Sequence, residues 1–154
     1  MQQEYNVVIA DTTCFILLSK IDRLHLLQLL FKSITTTNII AKEFGKQLPE
    51  WVLVAEVKDA HYLEILKLEV DEGEASAIAL SFEFEKPLLI LDDLKARKVA
   101  IKLNLNFTGT LGILLKAKEA GFIDALKPIL QEIQLTNFRF SEDILRQILL
   151  IAKE

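Results

Sequence analysis

Short apolar runs that end on an acidic residue alternate with helical segments along this chain, and that alternation limits the possible folds more than any other feature. "NVVIA" at 6–10 ends at Asp11, and "PLLIL" at 87–91 ends at Asp92 and Asp93. Strands that alternate with helices pair in parallel through right-handed crossovers. The pattern therefore predicts an α/β fold, a three-layer α/β/α sandwich with a central, mainly parallel sheet.

The other segments fit the same plan. Further strands are predicted at 33–37, at 51–57 (an edge or irregular strand) and at 107–110 (a short strand or turn). The predicted helix ends are N-caps at Asn38, Asp124 and Ser141 and a C-terminal glycine at Gly121. With 154 residues and 51% hydrophobic residues, the chain has the size and core material of one domain spanning residues 1–154.

Composition limits the location and the class of partner. One cysteine, Cys14, excludes an internal disulfide, and the N-terminus lacks the features of a signal peptide, so a cytoplasmic protein is expected. No apolar run approaches the roughly 20 residues that span a bilayer, so no membrane segment is expected. A net charge of -4 argues against a protein that simply coats nucleic acid. Residues 86–118 nevertheless carry seven basic and two acidic side chains.

Four acids are candidates for one site: Asp11, Glu43, Glu74 and Asp92. Functional groups of parallel sheets gather beyond the carboxyl ends of the strands, where Asp11 and Asp92 stand. Each acid also has a simpler explanation. Asp11, Asp92 or Asp93 could cap a helix, Glu43 could be solvated, and Glu74 could complete a capping box with Asp71. Only the combination favours a shared pocket.

A shared pocket of carboxylates has a chemical consequence. Two carboxylates about 5 Å apart repel by roughly 3 kcal/mol at an effective dielectric near 20, so the group needs a proton or a cation. Hard oxygen ligands select Mg²⁺ or Mn²⁺, which can activate water against a phosphodiester. A zinc site is a poor alternative because Cys14, His25 and His61 make no ligand set.

A basic stripe, formed by Lys95, Lys98 and Lys102, follows the Asp pair at i, i+3 and i+7 of a helix, with Arg97 on a neighbouring face. A solvated helix face is the ordinary explanation for such a stripe. Next to a metal site, however, cations that hold flanking phosphates are what an RNA or DNA strand needs. These four residues are therefore candidate nucleic-acid contacts.

Five segments in series resemble the PIN-domain proteins, in particular a prokaryotic subgroup of predicted nucleases related to the toxins of type II toxin-antitoxin pairs. The segments are "IADTTCFILLSKIDRLHLLQLLF", "AKEF", "DEGEASAIALS", "LLILDDLKARKVA" and "FTGTLGILLKAKEAGFI". The resemblance covers roughly residues 5–150. Three positions depart from the family pattern: Cys14 replaces a frequent Pro, Ser76 replaces a second acid, and Ala96 replaces a frequent Gly.

The resemblance implies a metal-dependent ribonuclease with a PIN-like sheet between helices. It implies that Asp11, Glu43, Glu74 and Asp92 bind Mg²⁺ or Mn²⁺ and are catalytic. The supporting residues that it implies around them are Asp93, Thr12, Thr13 and the turn residues Thr108 and Thr110. RNA would be the substrate and a small antitoxin protein a partner.

Three functions compete at this point. The first is an endoribonuclease in which a metal-activated water attacks the phosphodiester, acting as the toxin of a toxin-antitoxin pair. The second is a PIN-like module that binds RNA or protein with little turnover. The third, a phosphatase or phosphoacceptor, is disfavoured because "DTTC" lacks the second Asp of the phosphatase motif. The apolar end "ILRQILLIAK" favours a homodimer, although burial within one chain explains it equally well.

Overall fold

A central five-stranded sheet organises the computed structural model, which describes residues 5–154. The strands are β1 (Val7–Ala10), β2 (Ile34–Thr37), β3 (Val52–Ala55), β4 (Pro87–Ile90) and β5 (Asn106–Thr108). Their order is β3-β2-β1-β4-β5 and every pairing is parallel. The expectation about a signal peptide rested partly on residues 1–4, which lie outside the described residues.

Nine helices flank the sheet within residues 5–154. They are α1 (Thr12–Lys20), α2 (His25–Phe31), α3 (Asn38–Phe44), α4 (Ala60–Leu66), α5 (Glu72–Ser81), α6 (Leu94–Lys102), α7 (Thr110–Glu119), α8 (Lys127–Gln134) and α9 (Glu142–Ile151). Helix α5 packs across β1, β2 and β4, whereas α7 packs against α1 and α2. The predicted α/β/α sandwich is confirmed, and the sheet is wholly parallel among the described strands.

The middle strands are buried because their apolar runs face helices on both sides. Ile9, Leu89 and Ile90 are fully buried. At the rim, Leu53 of β3 is 57% exposed, as expected for an edge strand. The sequence pattern does not distinguish the two cases, since β3 is as apolar as β1 and β4; its position at the edge of the sheet is what leaves Leu53 and Val54 exposed.

The strand order reverses between β1 and β4. From β1 the chain moves to β2 and β3 on one side, then crosses back to β4 and β5 on the other. Ala10 pairs with Ile90, so the carboxyl ends of β1 and β4 lie side by side. Helices that follow strands on opposite sides of such a reversal splay apart, and the crevice between them is where ligands bind in open α/β sheets.

Two of the predicted N-caps are wrong. Thr37, not Asn38, caps α3: its backbone is extended and its Oγ1 accepts the Ile40 N–H at 3.1 Å, so Asn38 is already helical. Asp124 does not cap α8, which begins at Lys127 with Pro128 in the first turn. The N–H groups at that end are satisfied by Glu154, as described below.

Other helix ends are as predicted. Ser141 caps α9 by accepting the Ile144 N–H at 3.1 Å. Asp71 caps α5 by accepting the Glu74 N–H at 3.1 Å. Gly121 follows the end of α7 with φ +85°, a left-handed conformation that favours glycine.

Candidate functional site

Asp11 and Asp92 meet in the crevice at the ends of β1 and β4. Asp11 is buried, with 1% of its surface exposed. Its Oδ1 accepts the Cys14 N–H at 2.9 Å, which caps α1, and its Oδ2 accepts the Asp92 N–H at 3.1 Å. Asp11 is therefore a helix cap and also a direct neighbour of the second strand-end acid.

Asp92 is held from the opposite side by the start of α7. Thr110 donates twice, from its backbone N to Oδ1 at 2.8 Å and from its hydroxyl to Oδ2 at 2.5 Å. Gly109 permits this approach, because a Cβ there would lie 3.0 Å from Oδ1 of Asp92 and would clash with the Arg97 guanidinium. The "TGT" turn thus fixes the orientation of Asp92.

Glu43 approaches the site from α3, which contacts both α1 and α5. The Thr12 hydroxyl donates to Oε1 of Glu43 at 2.6 Å. On the other side, a Cβ at Gly73 would lie 2.3 Å from the same oxygen, so the carboxylate rests against the bare backbone at the start of α5. Glu43 is therefore placed between the N-termini of two helices, where their dipoles favour negative charge.

A buried chain of hydroxyl groups fixes this arrangement. Ser76 donates to the Gly73 carbonyl at 2.7 Å, so its own oxygen is left to accept from the Thr37 hydroxyl, also at 2.7 Å. Thr37 in turn accepts from the Ile40 N–H. The serine that replaces an acid in the family pattern is thus fully buried and joins α3 to α5.

Burial and crowding of negative charge alter the site's titration. Burial, followed by the charge of Asp92, raises the pKa of Asp11 from 3.8 to about 7. Burial, a hydrogen bond to Asp71 and the charges of Asp71, Asp11 and Asp93 raise the pKa of Glu74 from 4.5 to about 9. Both shifts reflect first the cost of burying a carboxylate and then the repulsion of its acidic neighbours, which for Asp11 the charge of Arg97 offsets only in part.

The remaining predicted residues lie around this group in different roles. Asp93 caps α6, since its Oδ2 accepts the Ala96 N–H at 3.0 Å. Thr13 is half-buried in the first turn of α1. The Thr108 hydroxyl lies against Gly112, where an added Cβ would be 2.3 Å from it.

Arg97 differs from the basic stripe. Lys95, Lys98 and Lys102 are exposed, whereas Arg97 is half-buried. Its Nε donates to the Leu91 carbonyl at 2.7 Å, its guanidinium lies 5.6 Å from the Phe107 ring centroid, and one terminal nitrogen is 4.0 Å from Oδ1 of Asp92. Arg97 therefore faces the acids rather than open solvent.

An open cleft of about 650 Å³ adjoins the acids at Glu74 and Asp93. One wall is the turn between α4 and α5, and the other is the first turn of α6. The residues that line this cleft are Lys67, Leu68, Glu69, Val70, Asp71, Glu74, Asp93, Leu94 and Lys95.

The donor set fits a hard divalent cation. Asp11 and Asp92 each use two acceptor positions for hydrogen bonds and retain further lone pairs. In the part of the chain that the structure describes, no three Asp, Glu, His or Cys side chains are gathered closely enough to form a complete cage. Mg²⁺ does not need one, since it keeps several waters and is usually held by one or two carboxylates together with substrate phosphates.

Comparison with known families identifies the fold. A family model described as a PIN domain matches residues 7–154. The chain belongs to the PIN-domain family. PIN domains are generally nucleases that use divalent metals, so this PIN domain has a nuclease-type fold, and a nucleic acid is the class of substrate that the family suggests.

Comparisons with curated proteins and with solved structures gave no significant match to this PIN domain. None of the helices within residues 5–154 is long and apolar enough to cross a membrane.

The inward position of Arg97 and the cleft beside Glu74 were not anticipated from the sequence. A signal for Arg97 existed, because it follows Ala96 and stands three residues before Ala100, so it lies beside the helix face that carries these two small buried residues. The cleft had no such signal. It is formed by two segments that lie far apart along the chain, and only the packing of α5 against α6 brings them together.

Proposed function

We propose that this PIN domain is an endoribonuclease that depends on Mg²⁺ or Mn²⁺. The observation that supports the proposal is the meeting of Asp11 and Asp92 at the reversal of strand order, with Glu43 and Glu74 on the adjoining helices. Such a group is costly without a cation, as the raised pKa of Asp11 indicates. A chain gains from keeping it when a bound cation supplies the missing positive charge.

Each acid has a distinct part in this proposal. Asp11 and Asp92 would hold the ion, while Glu43 and Glu74 complete its surroundings or orient water. The bound ion would supply Lewis acidity at the phosphodiester. Thr110 keeps Asp92 oriented, and Thr12 does the same for Glu43.

The basic stripe would hold the substrate strand. Lys95 lines the cleft at Asp93, and Lys98 and Lys102 continue from it along α6. Phosphate contacts of this kind position a strand without reading its sequence. RNA, rather than DNA, is proposed from the resemblance to toxin-type nucleases.

The cellular role proposed is that of a cytoplasmic toxin, restrained by an antitoxin protein. Homodimer formation through α9 is part of the same proposal. It is supported by the exposed Ile144, Leu150 and Ile151 of that helix.

Cleavage of RNA by the purified protein tests the proposal. We expect Mn²⁺-dependent cleavage of a single-stranded RNA and at least about a 100-fold loss in both Asp11→Asn and Asp92→Asn, since even residues that only support a metal ligand cost 10–100-fold. Asp22→Asn is the matched control, because Asp22 is exposed beyond the far end of α1 and asparagine tolerates its φ of 56°. A DNA strand of the same sequence tests the choice of RNA.

Two results would overturn the nuclease proposal. One is cleavage that persists unchanged in both active-site variants, which would indicate a contaminating nuclease. The other is salt-sensitive RNA binding without any turnover in Mg²⁺ or Mn²⁺, which would favour the binding module instead.

A further inference from the structure

Two leucines form the walls of the cleft beside the acids. Leu68, in the turn between α4 and α5, is 83% exposed, and Leu94, in the first turn of α6, is 66% exposed. Single exposed leucines are common, but these two belong to one cleft that also contains Glu74, a proposed catalytic acid. An apolar surface in that place indicates that part of the ligand is apolar.

The charges of the cleft determine which part of a nucleotide fits. Asp71 and Asp93 both line it, so a phosphate placed there would meet like charges. A nucleobase carries no charge, and its flat faces are apolar. Bases removed from their stack are held between apolar side chains in other nucleic-acid enzymes.

We propose that this cleft holds one unpaired base of the RNA strand, next to the bond that is cleaved, between Leu68 and Leu94. The proposal rests on the ribonuclease function proposed above and adds a base-binding subsite to it. Lys95, on the same wall as Leu94, would hold the phosphate of that nucleotide away from the acidic residues of the cleft. Lys67 does not serve this purpose, because Glu64 at 3.1 Å and Glu72 at 3.6 Å already neutralise it.

Asp93 gives the subsite a preference among bases. Its Oδ2 accepts the Ala96 N–H, whereas its Oδ1 takes no hydrogen bond from residues 5–154. A carboxylate oxygen accepts from exocyclic amino groups, as in its pairing with cytosine N4. Cytosine, adenine and guanine offer an amino group and uracil does not. The subsite therefore favours an amino-bearing base over uracil.

Abasic substrates test the subsite directly. The cut position in a short single-stranded RNA is first mapped with the unmodified protein and Mn²⁺, and each neighbouring nucleotide is then replaced by an abasic one. We expect about a tenfold loss of kcat/KM for one abasic position, and a smaller loss for uracil there. The double variant Leu68→Ser/Leu94→Ser should cleave intact and abasic RNA at the same reduced rate.

The matched control is Leu135→Ser, because Leu135 is 87% exposed and lies after α8, outside the cleft. This control should keep the full discrimination against abasic RNA. Circular dichroism confirms that the double variant is folded, which is expected for two exposed positions. Indifference of the unmodified protein to every abasic position, or discrimination retained by the double variant, would overturn the subsite while leaving the ribonuclease proposal intact.

A measurement of RNA binding distinguishes failure of the base subsite from failure of the ribonuclease proposal. If the protein cleaves no RNA, an intact strand and strands that carry one abasic nucleotide at each position in turn are compared by fluorescence anisotropy in Mg²⁺. Weaker binding of abasic RNA, abolished in the double variant but not in Leu135→Ser, would keep the base site as a property of an RNA-binding module. Equal binding of all these strands would reject it.

Discussion

Asp11 and Glu154 are carboxylates that this fold treats in opposite ways. Asp11 is buried beside Asp92, and its pKa rises to about 7. Glu154 accepts Lys118 Nζ at 2.7 Å, the Leu126 N–H at 2.6 Å and the Lys127 N–H at 3.0 Å, and its pKa falls to about 2. The first carboxylate lies among like charges, and the second is surrounded by donors.

The two carboxylates contribute to stability with opposite sign. Glu154 replaces the missing side-chain cap of α8 and ties the chain's last residue to α7, so its interactions favour folding. The region around Asp11 opposes folding at neutral pH, because Asp11 is buried next to the charge of Asp92 and Arg97 offsets only part of that cost. The Glu154 side chain is fully satisfied by donors, whereas the crevice acids remain close together, an arrangement that the proposed cation would stabilise.

The largest expected effect is on the pH dependence of stability. The pKa of Asp11 is raised on folding, so its contribution is most favourable below its ordinary value of 3.8 and is lost as the pH rises through about 7. The shift corresponds to on the order of 4 kcal/mol. Asp11→Asn cannot titrate, so we expect the difference in unfolding free energy between variant and unmodified protein to grow in the variant's favour from pH 4 to pH 7. Urea unfolding across that range measures it.

Asp22→Asn is again the control and should leave the pH profile unchanged. Because the pKa of Glu74 is raised to about 9, ionisation of Glu74 continues to lower the unfolding free energy above pH 7. The unfolding free energy of Asp11→Asn should therefore still fall with pH in that range. If the unfolding free energies of Asp11→Asn and the unmodified protein run parallel between pH 4 and pH 7, ionisation of Asp11 does not destabilise the folded protein.

The second effect is stabilisation by metal. A cation that binds only the folded state at about 100 times its Kd adds about 2.7 kcal/mol. Because binding requires the ionised acids, Mn²⁺ should raise Tm more at pH 8 than at pH 5.5. Asp11→Asn should lose most of this rise and Asp22→Asn none. An equal rise in all three proteins would place the ion outside the acidic site.

Two glycines offer a matched pair of smaller effects. Gly73→Ala would push the Glu43 carboxylate away, which costs little stability because the end of a flexible side chain can move. We expect about a tenfold loss of RNA cleavage. Gly121→Ala meets open space but keeps φ +85°, so it should cost about 1 kcal/mol of unfolding free energy and leave cleavage unchanged. An equal loss of cleavage in both variants would indicate that Glu43 has no specific role in cleavage.

Local patterns predicted most of this fold because they depend on neighbours in sequence. The apolar runs of β1 and β4, the Ser141 cap and Gly121 are features of this kind. Thr37 displaced Asn38 as a cap because its hydroxyl also serves the buried chain to Ser76, a contact between residues 39 positions apart. Asp124 failed as a cap because Glu154 reaches the start of α8 from the end of the chain.

The candidate site shows the same limit. Sequence position and family resemblance together named the four acids, but they did not show that Glu43 rests on Gly73 or that Arg97 turns toward Asp92. Those placements depend on the packing of α3, α5 and α6 around one end of the sheet. The predicted metal, RNA and catalytic roles stay predictions that the experiments above decide.

The smallest effect is expected at Glu154. Its pKa is lowered on folding, chiefly by Lys118 and then by the two backbone N–H groups, so its stabilisation is fully present above its ordinary value of 4.5 and is lost as the pH falls through about 2. Glu154→Gln should therefore lower Tm at pH 7 and match the unmodified protein near pH 2. Glu119→Gln, an exposed change on the same helix as Lys118, should be neutral throughout. Added salt should weaken only the Lys118 contribution, because the backbone N–H groups carry no net charge to screen. A Tm difference that is constant from pH 2 to pH 7 would mean that Glu154 acts by packing alone, and its contrast with Asp11 would then not be electrostatic.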